Sequence, residues 1–114
     1  MQGGYPYEDG FGSDRGFGYD RGFAIGVDGG ARVVARGELD LSAVAELRAA
    51  LDRAIQDGRV VVDLRLVTFM DSSAAGVLLD LLDEGTIPTL RDPSPMVARV
   101  LRLLGLDAYV LPAT

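Results

Sequence analysis

The sequence contains no cysteine, no histidine and no tryptophan, and all eleven of its basic residues are arginine. Without cysteine or histidine there is no thiolate nucleophile, no Ser-His-Asp triad, no disulfide and no ordinary zinc ligand set. Without lysine there is no P-loop, no Schiff base and no lysine general base. These absences remove most enzyme classes, and the reading is of a protein that is not an enzyme. No apolar run approaches the roughly 18–20 residues needed to span a membrane. No charged leader followed by an apolar stretch opens the chain, so no export signal is expected and the cytoplasm is the default compartment. Clustered cations are missing too: the net charge is −6 and the arginines are scattered, which disfavours direct binding to nucleic acid or to an anionic membrane.

What the chain does have is apolar residues, 48% over 114 positions, enough for one domain with a modest core. Residues 1–22 stand apart. They are rich in glycine and aromatics and carry an imperfect repeat, Phe11-Gly12-Ser13-Asp14-Arg15-Gly16 followed by Phe17-Gly18-Tyr19-Asp20-Arg21-Gly22. The composition is that of a low-complexity, disordered arm. Interleaved aromatics and arginines can stack on single-stranded RNA, but each arginine here follows an aspartate that cancels its charge, which favours a solvated tail.

The folded domain is expected over 23–114. Phe23 to Val27 alternates as an edge strand, Asp28-Gly29-Gly30 supplies a turn, and Ala31 to Arg36 gives the second strand of a hairpin. Ser42 is placed to cap a helix carrying Val44, Leu47, Leu51 and Ile55, which Asp57-Gly58 ends. Val60 to Leu64 is a β-branched run with almost no polar alternation, the pattern of a central strand covered on both faces. From Ser73 to about Glu84 apolar residues nearly surround a helix axis. Ile87 to Leu90 reads as a short strand in which Pro88 suits an edge or an irregular segment. Pro93-Ser94-Pro95 opens a third helix with Val97, Val100, Leu101 and Leu104 as its stripe, Gly105-Leu106 caps it, and Tyr109-Val110-Leu111 adds a last strand. The fold class is therefore α/β, in the order β-β-α-β-α-β-α-β, with a mixed sheet of about four to five strands and helices packed on it.

Between the central strand and the buried helix lies Met70-Asp71-Ser72-Ser73-Ala74-Ala75-Gly76. Asp71, Ser72 and Ser73 are each competent N-caps, and spacing does not choose among them. The small residues that follow leave the first turn open to close approach by another surface. A helix N-terminus favours negative charge by about 0.3–1 kcal/mol, so a phosphate here would be compatible with the fold.

From Phe23 to Thr114 the chain resembles the anti-sigma factor antagonist family of STAS (sulfate transporter and anti-sigma antagonist) domains. The resemblance rests on four segments in order. They are Gly37-Glu38-Leu39-Asp40, Val61-Val62-Asp63-Leu64, Phe69-Met70-Asp71-Ser72-Ser73-Ala74-Ala75-Gly76, and Pro93-Ser94-Pro95 with Val100-Leu101 and Leu104-Gly105-Leu106. It implies that Ser72 is phosphorylated by a partner anti-sigma factor, a serine kinase of the GHKL ATPase type. The unphosphorylated chain would bind that kinase and free a sigma factor, and a PP2C-type phosphatase would reset it. It implies a contact surface of Asp40 with the Glu38 to Ser42 loop, Asp71, Ser72, Ser73 and Gly76, and no cofactor. From the residues alone, Asp40 reads equally as a turn or capping aspartate.

Two departures accompany the resemblance. The stretch from Gly76 to Pro93 is about a turn shorter than usual, with Asp80, Asp83 and Glu84 opposing the helix dipole and a proline in the following strand. This reads as loss of part of the kinase-binding face with an atypical partner, as loss of a regular strand, or as ordinary loop variation. Ala74-Ala75 also stands where the family often has a glycine, which should only firm up the helix. Two rivals stand beside the main reading. One is a STAS accessory subunit of an ABC-type lipid or solute transport complex, contacting an ATPase without phosphorylation. The other is an enzyme holding a divalent metal between Asp40, Asp63 and Asp71.

Overall fold

A computed structural model describes residues 22–29 and 31–111. The proposed arm at 1–22 lies, but for Gly22, outside them. Five strands form one sheet in chain order: β1 (Phe23–Asp28), β2 (Arg32–Leu39), β3 (Arg59–Met70), β4 (Ile87–Arg91) and β5 (Val110–Leu111). β1 pairs antiparallel with β2, and every later pairing is parallel. Helices α1 (Val44–Ala54), α2 (Ser72–Asp83) and α3 (Pro95–Leu103) occupy the three parallel crossovers, so the expected α/β order is observed.

Parallel crossovers are right-handed, and here each steps to the next strand in the same direction, which puts all three helices on one face. Burial agrees. Val33, Ala35, Val60, Val62, Leu64 and Leu90 are buried on the helical face, where Leu47, Leu51, Leu78, Leu81 and Leu101 close over them. Each such leucine contributes about 1.5–3 kcal/mol by leaving water. The opposite face carries Val34, Val61, Asp63 and Thr89, all half-buried, and no element among the described residues lies over it. The expectation that the central strand is covered on both faces is therefore corrected. The unbroken valine run gave no alternation to read, because valine serves equally well on a half-open face.

β3 also runs six residues beyond Leu64. Along it the register with β2 shifts twice: Leu64 and Arg65 stand between Asp63↔Val34 and Leu66↔Arg36, and Thr68 stands between Val67↔Gly37 and Phe69↔Glu38. These are β-bulges, each an extra residue on β3. The Asp63 carboxylate satisfies the first by accepting the Arg65 amide at 3.0 Å.

Two local expectations change. Ser42 does not cap α1. Asp40 caps a 3-10 turn at Leu41–Ala43 that leads into α1, and the helix itself has no side-chain cap at Ala43. Pro88 lies in a regular strand that is not the sheet's edge, so the shortened stretch after Gly76 has kept its strand. It is tolerated because β5 pairs only with Leu90 and Arg91, leaving the outer side of Pro88 without a ladder partner to donate to. The acidic end of α2 is relieved by Arg48 of α1, whose guanidinium grips both oxygens of Glu84 at 2.5 and 3.1 Å.

Candidate functional site

The carboxyl ends of β2 and β3 lie side by side, Leu39 paired with Met70, and both side chains are buried. The chain cannot turn inward there and leaves the sheet on both strands. Asp71 then does three things at once. Its amide donates to the Leu39 carbonyl at 3.1 Å, its carbonyl accepts from Ala75 at 3.1 Å, and its carboxylate caps α2 by accepting from Ala74 at 3.1 Å. Of the three candidate caps in the sequence, Asp71 is the one used.

Ser72 is therefore free of capping. It is the first residue of α2, it is exposed, and its hydroxyl has no hydrogen-bond partner among the described residues. Ser73 and Gly76 are half-buried. Ser72, Gly76 and Asp80 recur every four residues and form the outward stripe of α2, while Ala74, Ala75, Leu78 and Leu81 face the core. A Cβ on Gly76 would meet nothing within 4 Å, so the chain's own packing does not require glycine there.

The clamp from Asp71 to Leu39 places the Asp40 turn beside this helix start, and the 3-10 turn packs on α2. Asp40 accepts from the Ser42 hydroxyl at 2.6 Å and from its amide at 3.0 Å. These bonds, the hydroxyl first, hold the Asp40 carboxyl below the usual carboxylate range. Between Asp40 and Ser42 stands Leu41, 71% exposed. It belongs to the loop implicated from sequence but was not singled out there; a leucine between two turn-forming polar residues, with no helical partner, is the signal that marks it.

Asp40, Asp71, Ser72, Ser73 and Gly76 thus share one corner of the molecule. Asp63 does not join them. It lies mid-strand on the open face, occupied with Arg65, and no group of three acidic residues placed to hold a metal occurs among the described residues. The corner offers a hydroxyl, two carboxylates, a protruding leucine and a helix start bare of bulk. That combination suits docking against another surface. Among the described residues no helix is long and apolar enough to cross a membrane.

Comparison with known proteins follows the same lines. Residues 26–112 match the family model described as "Mlab, STAS domain". The chain is 35% identical over 85 residues to an anti-sigma F factor antagonist of Lysinibacillus sphaericus, covering 68% of this chain and 73% of that protein. Among solved structures it is similar to the anti-sigma factor antagonist SpoIIAA in its unphosphorylated form, with a TM-score of 0.61 and 31% identity, covering 81% of this chain and 88% of that one. It is also similar to the phosphorylated form of SpoIIAA, the Bacillus cell-fate determinant, with a TM-score of 0.58 and 29% identity over 81% of this chain and 91% of that one.

Proposed function

Since the chain belongs to the anti-sigma factor antagonist family of STAS domains, we propose that it is a protein-binding switch set by phosphorylation of Ser72. In this reading its partner is an anti-sigma factor serine kinase of the GHKL ATPase type, held through Asp40, Asp71, Ser72, Ser73 and Gly76. Binding frees a sigma factor, and a PP2C-type phosphatase restores the binding form. The domain spans 23–114 and works in the cytoplasm.

The observation that carries the proposal is the separation of cap from switch. Asp71 holds the helix start and Ser72 stands beside it with an exposed, unengaged hydroxyl. Phosphate on Ser72 would add about −1.5 to −2 charges and three acceptor oxygens without displacing the cap. The fold accommodates that charge, because the first-turn amides and the helix dipole favour an anion. A bound partner does not, since the dianion would lie next to Asp71 and Asp40 in an interface that had to desolvate it. Release would then need no refolding. That SpoIIAA has been seen in unphosphorylated and phosphorylated forms supports this reading.

The test is incubation with ATP and candidate kinases, followed by mass spectrometry of the intact chain and of Ser72→Ala. One phosphate on the first and none on the second is expected. Phosphate on Ser73 or Thr68 would overturn the assignment. The second reading is an unphosphorylated STAS accessory subunit of an ABC-type lipid or solute transport complex. Purification of the native partner separates them: an ABC-type ATPase in place of a GHKL-type kinase would favour the second.

A further inference from the structure

β1 stands at one edge of the sheet and pairs, among the described strands, with β2 alone. Its six residues keep unbroken register, from Phe23↔Gly37 to Asp28↔Arg32. An antiparallel ladder alternates between pairs that exchange both backbone hydrogen bonds and pairs that exchange none. One step beyond Phe23↔Gly37, the Glu38 amide donates to the Gly22 carbonyl at 2.6 Å. That bond marks an exchanging pair and sets the phase of the ladder. Ala24↔Arg36, Gly26↔Val34 and Asp28↔Arg32 therefore exchange, while the amides and carbonyls of Ile25 and Val27 point away from β2, out of the sheet. No described strand pairs with them there.

A row of outward amides and carbonyls is a template for another strand, and sheets usually blunt it with charge, proline, bulges or brevity. The opposite side of the described sheet is blunted in this way, since β5 has only two residues. β1 is not. From Phe23 to Val27 there is no charge and no proline, and the register shifts that interrupt β2 and β3 have no counterpart. On the open face the strand carries only the small residues Ala24 and Gly26.

The occupant that matches this edge is the same edge of a second copy. Antiparallel pairing about a twofold axis at Gly26 joins Ile25 of each copy to Val27 of the other, one exchanging pair on either side of the axis. Gly26 then faces Gly26 in a non-exchanging pair, where Cα atoms approach to about 4.5 Å and neither residue has a side chain to obstruct it. Ile25 and Val27 meet on the helical face as an apolar cross-strand pair. On the open face Asp28 of one copy, held by Arg32 of its own chain, lies opposite Ala24 of the other. Ala24 is itself paired with Arg36, so Arg36 and Asp28 stand two strand spacings apart, about 10 Å, with only alanine between them. The symmetry makes this charge match twice and sets no two like charges opposite each other.

We propose that the protein forms a twofold dimer by antiparallel pairing of β1 with β1 about Gly26, which joins two five-stranded sheets into one. β3, which leads into the Asp71–Ser72 corner, lies two strands in from the shared edge. Both corners stay open, and the dimer presents the docking surface twice. The pairing depends on the fold and not on phosphorylation of Ser72.

Sedimentation of the full chain over a range of concentrations should show monomer passing into dimer. Val27→Pro removes an outward amide and leaves the ladder with β2 intact, so it should stay monomeric at every concentration with an unchanged circular-dichroism spectrum. Single cysteines read the register separately, since the chain has none of its own and Gly26 is not among the glycines with positive φ. Gly26→Cys places two thiols on the axis, within the Cα range of a disulfide, and should cross-link rapidly under mild oxidation. Ala24→Cys lies about 14 Å along the strand from its counterpart and should not. A full chain that is monomeric throughout would overturn the proposal. So would a dimer that survives Val27→Pro, or cross-linking of Ala24→Cys as fast as that of Gly26→Cys.

Discussion

Replacing Gly76 by alanine separates what the fold needs from what the interface needs. Gly76 lies in the second turn of α2, where glycine is about 0.8–1.0 kcal/mol less favourable than alanine. The added methyl meets nothing within 4 Å, so no clash offsets the gain. For a domain of this size 1 kcal/mol moves the midpoint by about 4–8 °C, and Gly76→Ala should melt about 3–8 °C higher. The same methyl stands on the outward stripe with Ser72. If a partner packs against that stripe, overfilling the contact costs about 1–3 kcal/mol, or roughly 5- to 150-fold in affinity. Thermal unfolding of the free protein and calorimetric titration with the proposed kinase partner read the two effects independently. A variant that melts lower would refute the account of the helix, and one that melts higher but binds unchanged would refute close approach at Gly76.

Other substitutions probe the same corner. Ser72→Asp should leave the circular-dichroism spectrum and melting point nearly unchanged while weakening kinase binding at least tenfold; equal affinity would sink the switch. Asp71→Ala removes the cap of α2 and should cost about 0.5–2 kcal/mol in urea unfolding. Gly37→Ala would bring a Cβ to 2.2 Å from the Gly22 carbonyl oxygen at φ +86, and a loss of at least about 1–3 kcal/mol is expected, measured the same way. The Asp40 carboxyl is lowered by Ser42, so its contribution is present above the unfolded value near 3.9 and lost as pH falls through the lower folded value. NMR titration of the Ser42 amide should therefore be flat from pH 8 to 5 and bend only in more acidic solution, a bend that Asp40→Asn abolishes.

Much of this was legible in the sequence because its signals are local. Helical spacing in Val44, Leu47 and Leu51 and the Ser94-Pro95 start of α3 each report their own element, and each element is there. Spacing also narrowed the helix start to three neighbouring residues, but only the clamp between Asp71 and Leu39 decides which of them caps. What the sequence did not disclose depends on pairs distant along the chain. The open face follows from every crossover stepping the same way. The tolerance of Pro88 follows from the shortness of β5, and the relief of the acidic end of α2 from an arginine 36 positions away. The extension of β3 to Met70 was hidden by its bulges, which break the alternation that would have marked Leu66 to Met70 as strand.

Those bulges make β3 a buffer for chain length. Arg65 and Thr68 are surplus to the ladder with β2, and removing either would leave its neighbours in register with the same β2 partners. One-residue gains and losses in this stretch can therefore accumulate between related sequences without moving the hydroxyl of Ser72. Past Met70 the slack ends. Asp71 is held to Leu39 on one side and to Ala74 on the other, so an insertion between Met70 and Ala74 would carry the serine off its corner.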